Sequence, residues 1–277
     1  MIDLSLFTYD FMRNAFVGGT FAAILAGAVG YFVIIRNLSF AAHALGHIGF
    51  AGASGALLVA LAPITGQFIF TVFAAIGIGA LGERISKSDM IIGIILSFCL
   101  GLGTLFLHLY NGYAGQASII LFGNLLGISH HDLHLMFWLM VLSLIALTII
   151  TKRLLFASLE PELAEAKGIS LLWLSIIFMV IMAIAVTLAS QVVGVILVFT
   201  LLIGPAAIAV QWTHHFWSGI ILSIILAIFI VWLGISLSYI TDWPISFWIS
   251  ALVFFTYILN SLKNIRYIQD SLSWIKK

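Results

Sequence analysis

Apolar residues run along this chain in long unbroken blocks, without the short alternation expected of strands. From Asn14 to Ile35, Met90 to Tyr110 and Leu133 to Ile150, eighteen or more residues pass with no formal charge, about the length a helix needs to cross a ~30 Å hydrocarbon core. Between such blocks stand charges, Gly/Pro clusters and polar turns. Windows of about 19 residues, stopped at those breaks, predict spans near 14–35, 40–62, 67–82, 90–110, 133–154, 169–189, 191–212, 215–237 and 243–262. The third is short. A further apolar piece, Ala117 to Ile128, is too short to span and reads as a re-entrant or interfacial segment. The expectation is an all-α polytopic integral membrane protein with eight to nine transmembrane helices, forming one transmembrane domain over residues 1–277.

Composition agrees, since 63% of the 277 residues are hydrophobic and 8% charged, against roughly 25% charged in soluble domains. The leader Met1 to Arg13 carries Asp3 and Asp10 where a secretory leader would carry lysines, so no cleavage is expected. Cys99 is the only cysteine, which excludes an intramolecular disulfide or a thiolate metal cluster within one chain. Lysine and arginine set orientation. With the amino terminus outside, Arg36, Arg84, Lys87, Lys152, Arg153, Lys167, Lys263, Arg266, Lys276 and Lys277 all fall on the cytoplasmic side and only Arg13 lies outside.

Candidate chemistry is concentrated in the second span, Phe40 to Gly55, where His43 and His47 are four apart. That spacing puts both imidazoles on one helical face, about one turn from each other, where they can share one metal ion. Ionisable residues in hydrocarbon are costly and usually face a bundle interior or a water-filled path. The alternative is a histidine pair bonded to neighbouring carbonyls for packing. A membrane metalloprotease would need Glu directly after the first histidine as general base; this chain has Ala44. Glycine, alanine and serine fill the rest of the helix, as where membrane helices approach closely.

The largest polar stretch lies between Lys152 and Gly168. Within it, Glu160 to Gly168 has the marks of a short capped helix: proline in the first turn, acidic residues at the amino end and a terminal glycine. Ser129 to His134 contains His130, His131 and His134, either a weak cation attractor or a wet polar loop. Pro205 removes a helix hydrogen bond and is expected to kink its span. In the tail, Ile265, Ile268, Leu272 and Ile275 share one face near Lys263, Arg266, Lys276 and Lys277, so residues 263–277 are read as a segment lying on the cytoplasmic membrane surface or as a frayed end.

These residues together resemble the zinc/manganese permease family of ATP-binding-cassette importers, membrane subunits of the ZnuB and MntB type, over nearly the whole chain. Tyr9 to Ala15 is similar to the family's opening, and His43 to Gly55 to its Asp-Ala-Leu-Ser-His segment followed by small residues. Leu121-Phe122-Gly123-Asn124 resembles its Leu-Phe-Gly-Asp turn. Glu160 to Ile169 resembles its acidic, alanine-rich coupling segment, and Val192 to Ala207 its late Val-Val-Gly and Pro-Ala-Ala span. The resemblance implies a bacterial inner-membrane permease that transports a divalent metal, binds no permanent cofactor or nucleic acid, and works beside a second copy of itself. It further implies a cytoplasmic ATPase subunit and an extracytoplasmic metal-binding protein. The chain has no Gly-x-x-x-x-Gly-Lys-Ser/Thr loop, so ATP hydrolysis is expected on another chain. The family's metal-contact role falls on His47, while ATPase coupling falls on about 156–168, with Glu160, Glu162, Ala164, Glu165 and Gly168. The family's aspartate is His43 here and its serine is Gly46. Two imidazoles suit zinc better than manganese, so zinc is the expected cargo, and because ligation needs neutral imidazole, uptake is expected to fall as the pathway acidifies. The competing functions are a permease for another small substrate and a membrane-embedded metal-dependent hydrolase.

Overall fold

A computed structural model describes residues 9–81, 89–110, 115–213 and 215–273, with the backbone alone at 115–118 and 263–273. Arg84, Lys87, His214, Lys276, Lys277 and the side chains of the expected amphipathic tail lie outside the described residues. The rest is helical: α1 (Asp10–Ile35), α2 (Ser39–Leu58), α3 (Pro63–Gly79), α4 (Asp89–Leu109), α5 (Gly115–Phe122), α6 (His130–Leu159), α7 (Pro161–Ala166), α8 (Leu171–Trp212), α9 (Phe216–Thr241) and α10 (Ile245–Ser273), with a 3₁₀ turn at Leu125–Gly127.

Local chemistry sets several ends. Ser129 and Asp132 form a reciprocal capping box at the start of α6, the Asp132 amide donating to Ser129 Oγ at 3.2 Å and the Ser129 amide to Asp132 Oδ2 at 3.1 Å, which satisfies two donors the helix leaves unpaired. Pro63 and Pro161 open α3 and α7, where the missing N–H is harmless. Asn37 and Asp242 take left-handed backbone after α1 and at the end of α9.

The central element is α8. Its 42 residues would reach about 63 Å if straight, twice a membrane core, but Gly194 interrupts it at φ 77° and ψ 167°, a conformation open essentially to glycine. Phe32 in the last turns of α1 packs on Phe178 in the first arm, ring centroids 6.1 Å apart. The bare face of Gly30, two residues earlier, admits the Leu202 carbonyl and Ala206 of the second arm. At the opposite end of α1, Met12 shares a cavity with Val192 beside the break. Both arms therefore run between the same two levels, and the chain reverses at Gly194.

Against the eight to nine spans expected from the sequence, length and apolarity alone single out fewer helices. Six helices among the described residues are long and apolar enough to cross a membrane: α1, α4, α6, α8, α9 and the Ile245–Leu262 part of α10. Two expected spans, 169–189 and 191–212, are the two arms of the one helix α8. α3 has 17 residues and falls short on length, and α2, long enough at 20 residues, falls short on apolarity because of its histidines, glycines and serines. The segment from Ala117 is the eight-residue α5, about 12 Å long. It turns back at Gly123, φ 81°, tight against Gly194, with the Asn124 amide donating to the Gln191 carbonyl at 3.2 Å.

The two ends of the bundle differ in charge. Arg36 lies over the Phe178 ring at 5.1 Å and Lys167 over Phe156 at 4.9 Å, so the described basic residues of the α1–α2 and α6–α8 connections gather at one end. By the positive-inside rule that end is cytoplasmic. Asp10, Arg13, Asn124, the α6 cap and Asp242 occupy the other.

Candidate functional site

The histidine pair sits on α2, a helix whose other faces are sealed by close packing. At Gly46 a methyl group would come within 2.6 Å of Val198 Cγ1 in the second arm of α8. At Gly49 it would come within 2.9 Å of Gln67 Cγ on α3, and at Gly52 it would overlap the Gly66 carbonyl. Phe50 packs onto Gly103 of α4. From Ala41 to Ser54 every residue is buried except His43 and His47, which are half-buried. Small residues thus let three neighbours close on α2, and the two imidazoles mark the strip left open.

Within that strip the rings lie 4.6 Å apart, centroid to centroid, at 80° to one another. His43 also meets the edge of Phe199, from the second arm of α8, at 5.5 Å. One ion can therefore touch both rings, with Phe199 as an apolar wall beside it. No group of three or more His, Cys, Asp or Glu is gathered among the described residues, so within one chain the pair offers two ligands and water or another chain must supply the rest.

The other candidates are scattered. His130, His131 and His134 are exposed on the first turns of α6 at the outer end, and Cys99 lies on α4. Pro205 is buried in the second arm of α8, whose non-helical backbone is at Gly194. Glu160, Glu162, Ala164, Glu165 and Gly168 come together at the cytoplasmic end. There α7 is anchored by buried Ala164 and closed by Gly168 at φ 78°, the Gly168 amide donating to the Glu165 carbonyl at 2.8 Å and the Ile169 amide to the Ala164 carbonyl at 3.0 Å. This is a glycine C-terminal stop. Glu162, Leu163 and Glu165 project outward.

Two features were not foreseen. Phe199 had no periodic signal to set it apart from its apolar span. A buried polar ladder joins α3 to the first arm of α8: Gln67 Nε2 donates to Ser190 Oγ, and the Thr71 and Thr187 hydroxyls lie 3.1 Å apart. The signal for the ladder was present, since Gln67 and Thr71 are four apart and Thr187 and Ser190 three apart, each pair on one helical face.

Comparison with known proteins places this geometry in a family. The chain is 31% identical over 219 residues to the manganese import system permease protein ScaB of Streptococcus gordonii, covering 79% of this chain and 78% of that one. It is 31% identical over 246 residues to a probable iron transport system membrane protein of Haemophilus influenzae, covering 87% and 86%. Among solved structures, PsaBC from Streptococcus pneumoniae in complex with Fab superposes with a TM-score of 0.82 at 29% identity, 92% of each chain being covered. An inward-facing putative metal-chelate type ABC transporter, 15% identical with a TM-score of 0.72, shares the fold. The model of the ABC 3 transport family matches residues 8–264, and the chain belongs to that family: it is a multi-pass protein of the bacterial inner membrane, and a permease rather than an enzyme.

Proposed function

We propose that this chain is the membrane permease subunit of an importer for a divalent transition-metal ion, with His43 and His47 as the contact the ion makes on its way through. The observation that carries the reading is the pair itself: two imidazoles 4.6 Å apart, left open on a helix otherwise enclosed by protein. A histidine pair kept only for packing would be expected to be sealed like its neighbours. The ion is cargo, so two protein ligands suffice for a contact that must also release.

Donor chemistry alone favours zinc, but the relatives described above carry manganese and iron in their names. Imidazole suits Fe²⁺ whereas Mn²⁺ is suited to carboxylate oxygen. Fe²⁺ satisfies both lines and is the proposed cargo, with manganese next and zinc behind it. Energy comes from a separate cytoplasmic ATPase docked on the segment 156–168, where Glu162, Leu163 and Glu165 face outward. An extracytoplasmic metal-binding protein delivers the ion, and a second copy of the chain faces the histidine strip, bringing up to four imidazoles to one axis. Counting α2, α3 and both arms of α8 as crossings gives nine spans with the amino terminus outside.

The test is uptake of Fe²⁺, Mn²⁺ and Zn²⁺ by cells that lack their own importers and express the chain with its ATPase and binding protein. His47→Ala should abolish uptake at unchanged membrane levels of the protein, and His43→Asp should move preference toward Mn²⁺. Unchanged rates and selectivity in both variants would sink the metal-contact assignment.

A further inference from the structure

Arg13 is the one lysine or arginine among the described residues on the outer face, where positive charge has no topological role. It stands at the mouth of a groove of about 410 Å³ between α1 and α9, walled by Phe16, Val17, Thr20, Phe21 and Trp232. The groove follows α1 from position 13 to 21, roughly 12 Å along the axis, from the membrane surface into the outer leaflet.

Its walls have been made apolar by internal pairing. The Trp232 indole N–H donates to Thr20 Oγ1 at 2.8 Å, and the Thr20 hydroxyl donates to the Phe16 carbonyl at 2.6 Å. Phe16 and Trp232 meet edge to face at 5.8 Å, which fixes both rings. At the mouth the polarity is opposite: Arg13 is ion-paired to Asp10 on the preceding turn, and both side chains are largely exposed. A cation and an anion side by side, above an apolar channel parallel to the membrane normal, complement one kind of molecule.

We infer that this groove is a binding site for a glycerophospholipid of the outer leaflet. The phosphate is held by Arg13, whose planar fork matches phosphate oxygens. Asp10 accepts a hydrogen bond from the headgroup, which must therefore carry an ammonium or hydroxyl donor, as ethanolamine and glycerol headgroups do and choline does not. One acyl chain lies along Val17 and Trp232, closing the α1–α9 seam. The inference does not depend on which ion the protein carries.

Native mass spectrometry of the permease with its ATPase, released from detergent after addition of phosphatidylethanolamine, phosphatidylglycerol or phosphatidylcholine, reads the site directly. One lipid per permease chain should be retained from the first two, with phosphatidylcholine held roughly tenfold more weakly, the scale of one lost charge-assisted pair. Arg13→Ala should weaken retention of all three and Arg13→Lys restore part of it. Val17→Trp, which fills an exposed position in the groove without touching the charges, should abolish retention, and Asp10→Asn should remove discrimination against choline. Equal retention of the three lipids by the unaltered complex, or retention indifferent to Arg13→Ala and Val17→Trp, would overturn the site and leave only ordinary surrounding lipid.

Discussion

Helices α2 and α4 are neighbours of nearly equal length, 20 and 21 residues, and they run side by side: Phe40 lies nearest Gly93, Phe50 packs on Gly103, and Gly55 faces Phe106. Yet α4 is the more apolar of the two and is mostly exposed, whereas α2 is less apolar and is enclosed along most of its length. In water the more apolar helix would be the inner one. In a bilayer, lipid competes equally for apolar surface, so burial goes to the helix whose small residues let backbones approach. α2 has glycine at 46 against the second arm of α8 and at 49 and 52 against α3, and α4 presents Ile94, Phe98 and Leu105 to the exterior.

The sharpest way to break this contrast is to put the same side chain into both helices. Gly52→Leu would drive a leucine into the Gly66 carbonyl and Phe70 Cβ; backbone cannot yield as a side chain can, and a loss of about 3 kcal/mol is expected. Thermal unfolding in detergent and the amount of protein in the membrane would report it. His47→Ala should leave unfolding unmoved while abolishing uptake, a loss beyond the roughly 10–100-fold that removing even an outer-shell partner of a metal ligand costs, because the residue lies on the open strip of α2. Thr71→Val, which deletes the hydroxyl facing Thr187 on the first arm of α8, should cost about 0.6 kcal/mol, as interhelical hydrogen bonds in membranes average, again read by thermal unfolding. The smallest effect belongs to Gly101→Leu in α4. Nothing lies within 4 Å of the added carbon, so stability should stay within about 0.5 kcal/mol. Destabilisation comparable to that of Gly52→Leu would show that α4 is covered by another protein chain and not by lipid.

How much could be read beforehand differs from element to element. The pairing of His43 with His47 was legible, because an interval of four fixes two side chains on one face whatever surrounds the helix. The short helix at Pro161–Ala166 was legible for the same local reason, its proline start and glycine stop being set by backbone sterics. Span counting was legible only in part. The windows 169–189 and 191–212 separate at Ser190-Gln191, close to the break at Gly194, but hydropathy cannot tell two arms folded at a glycine from one continuous rod. Nor could it place Phe199 against His43, since the two are 156 positions apart and meet only because Gly46 admits the second arm of α8.

The sequence by itself determined that this chain belongs in a membrane, that its secondary structure is helical and that His43 and His47 lie side by side on one helical face. Each follows from composition or from spacing within one helix, where the hydrogen-bonding period dictates geometry. Only the tertiary structure decided which helices are central, which strip of α2 stays open and where the chain doubles back. Those depend on how closely one backbone can approach another, a property of two surfaces meeting, which neither surface's own residue pattern contains.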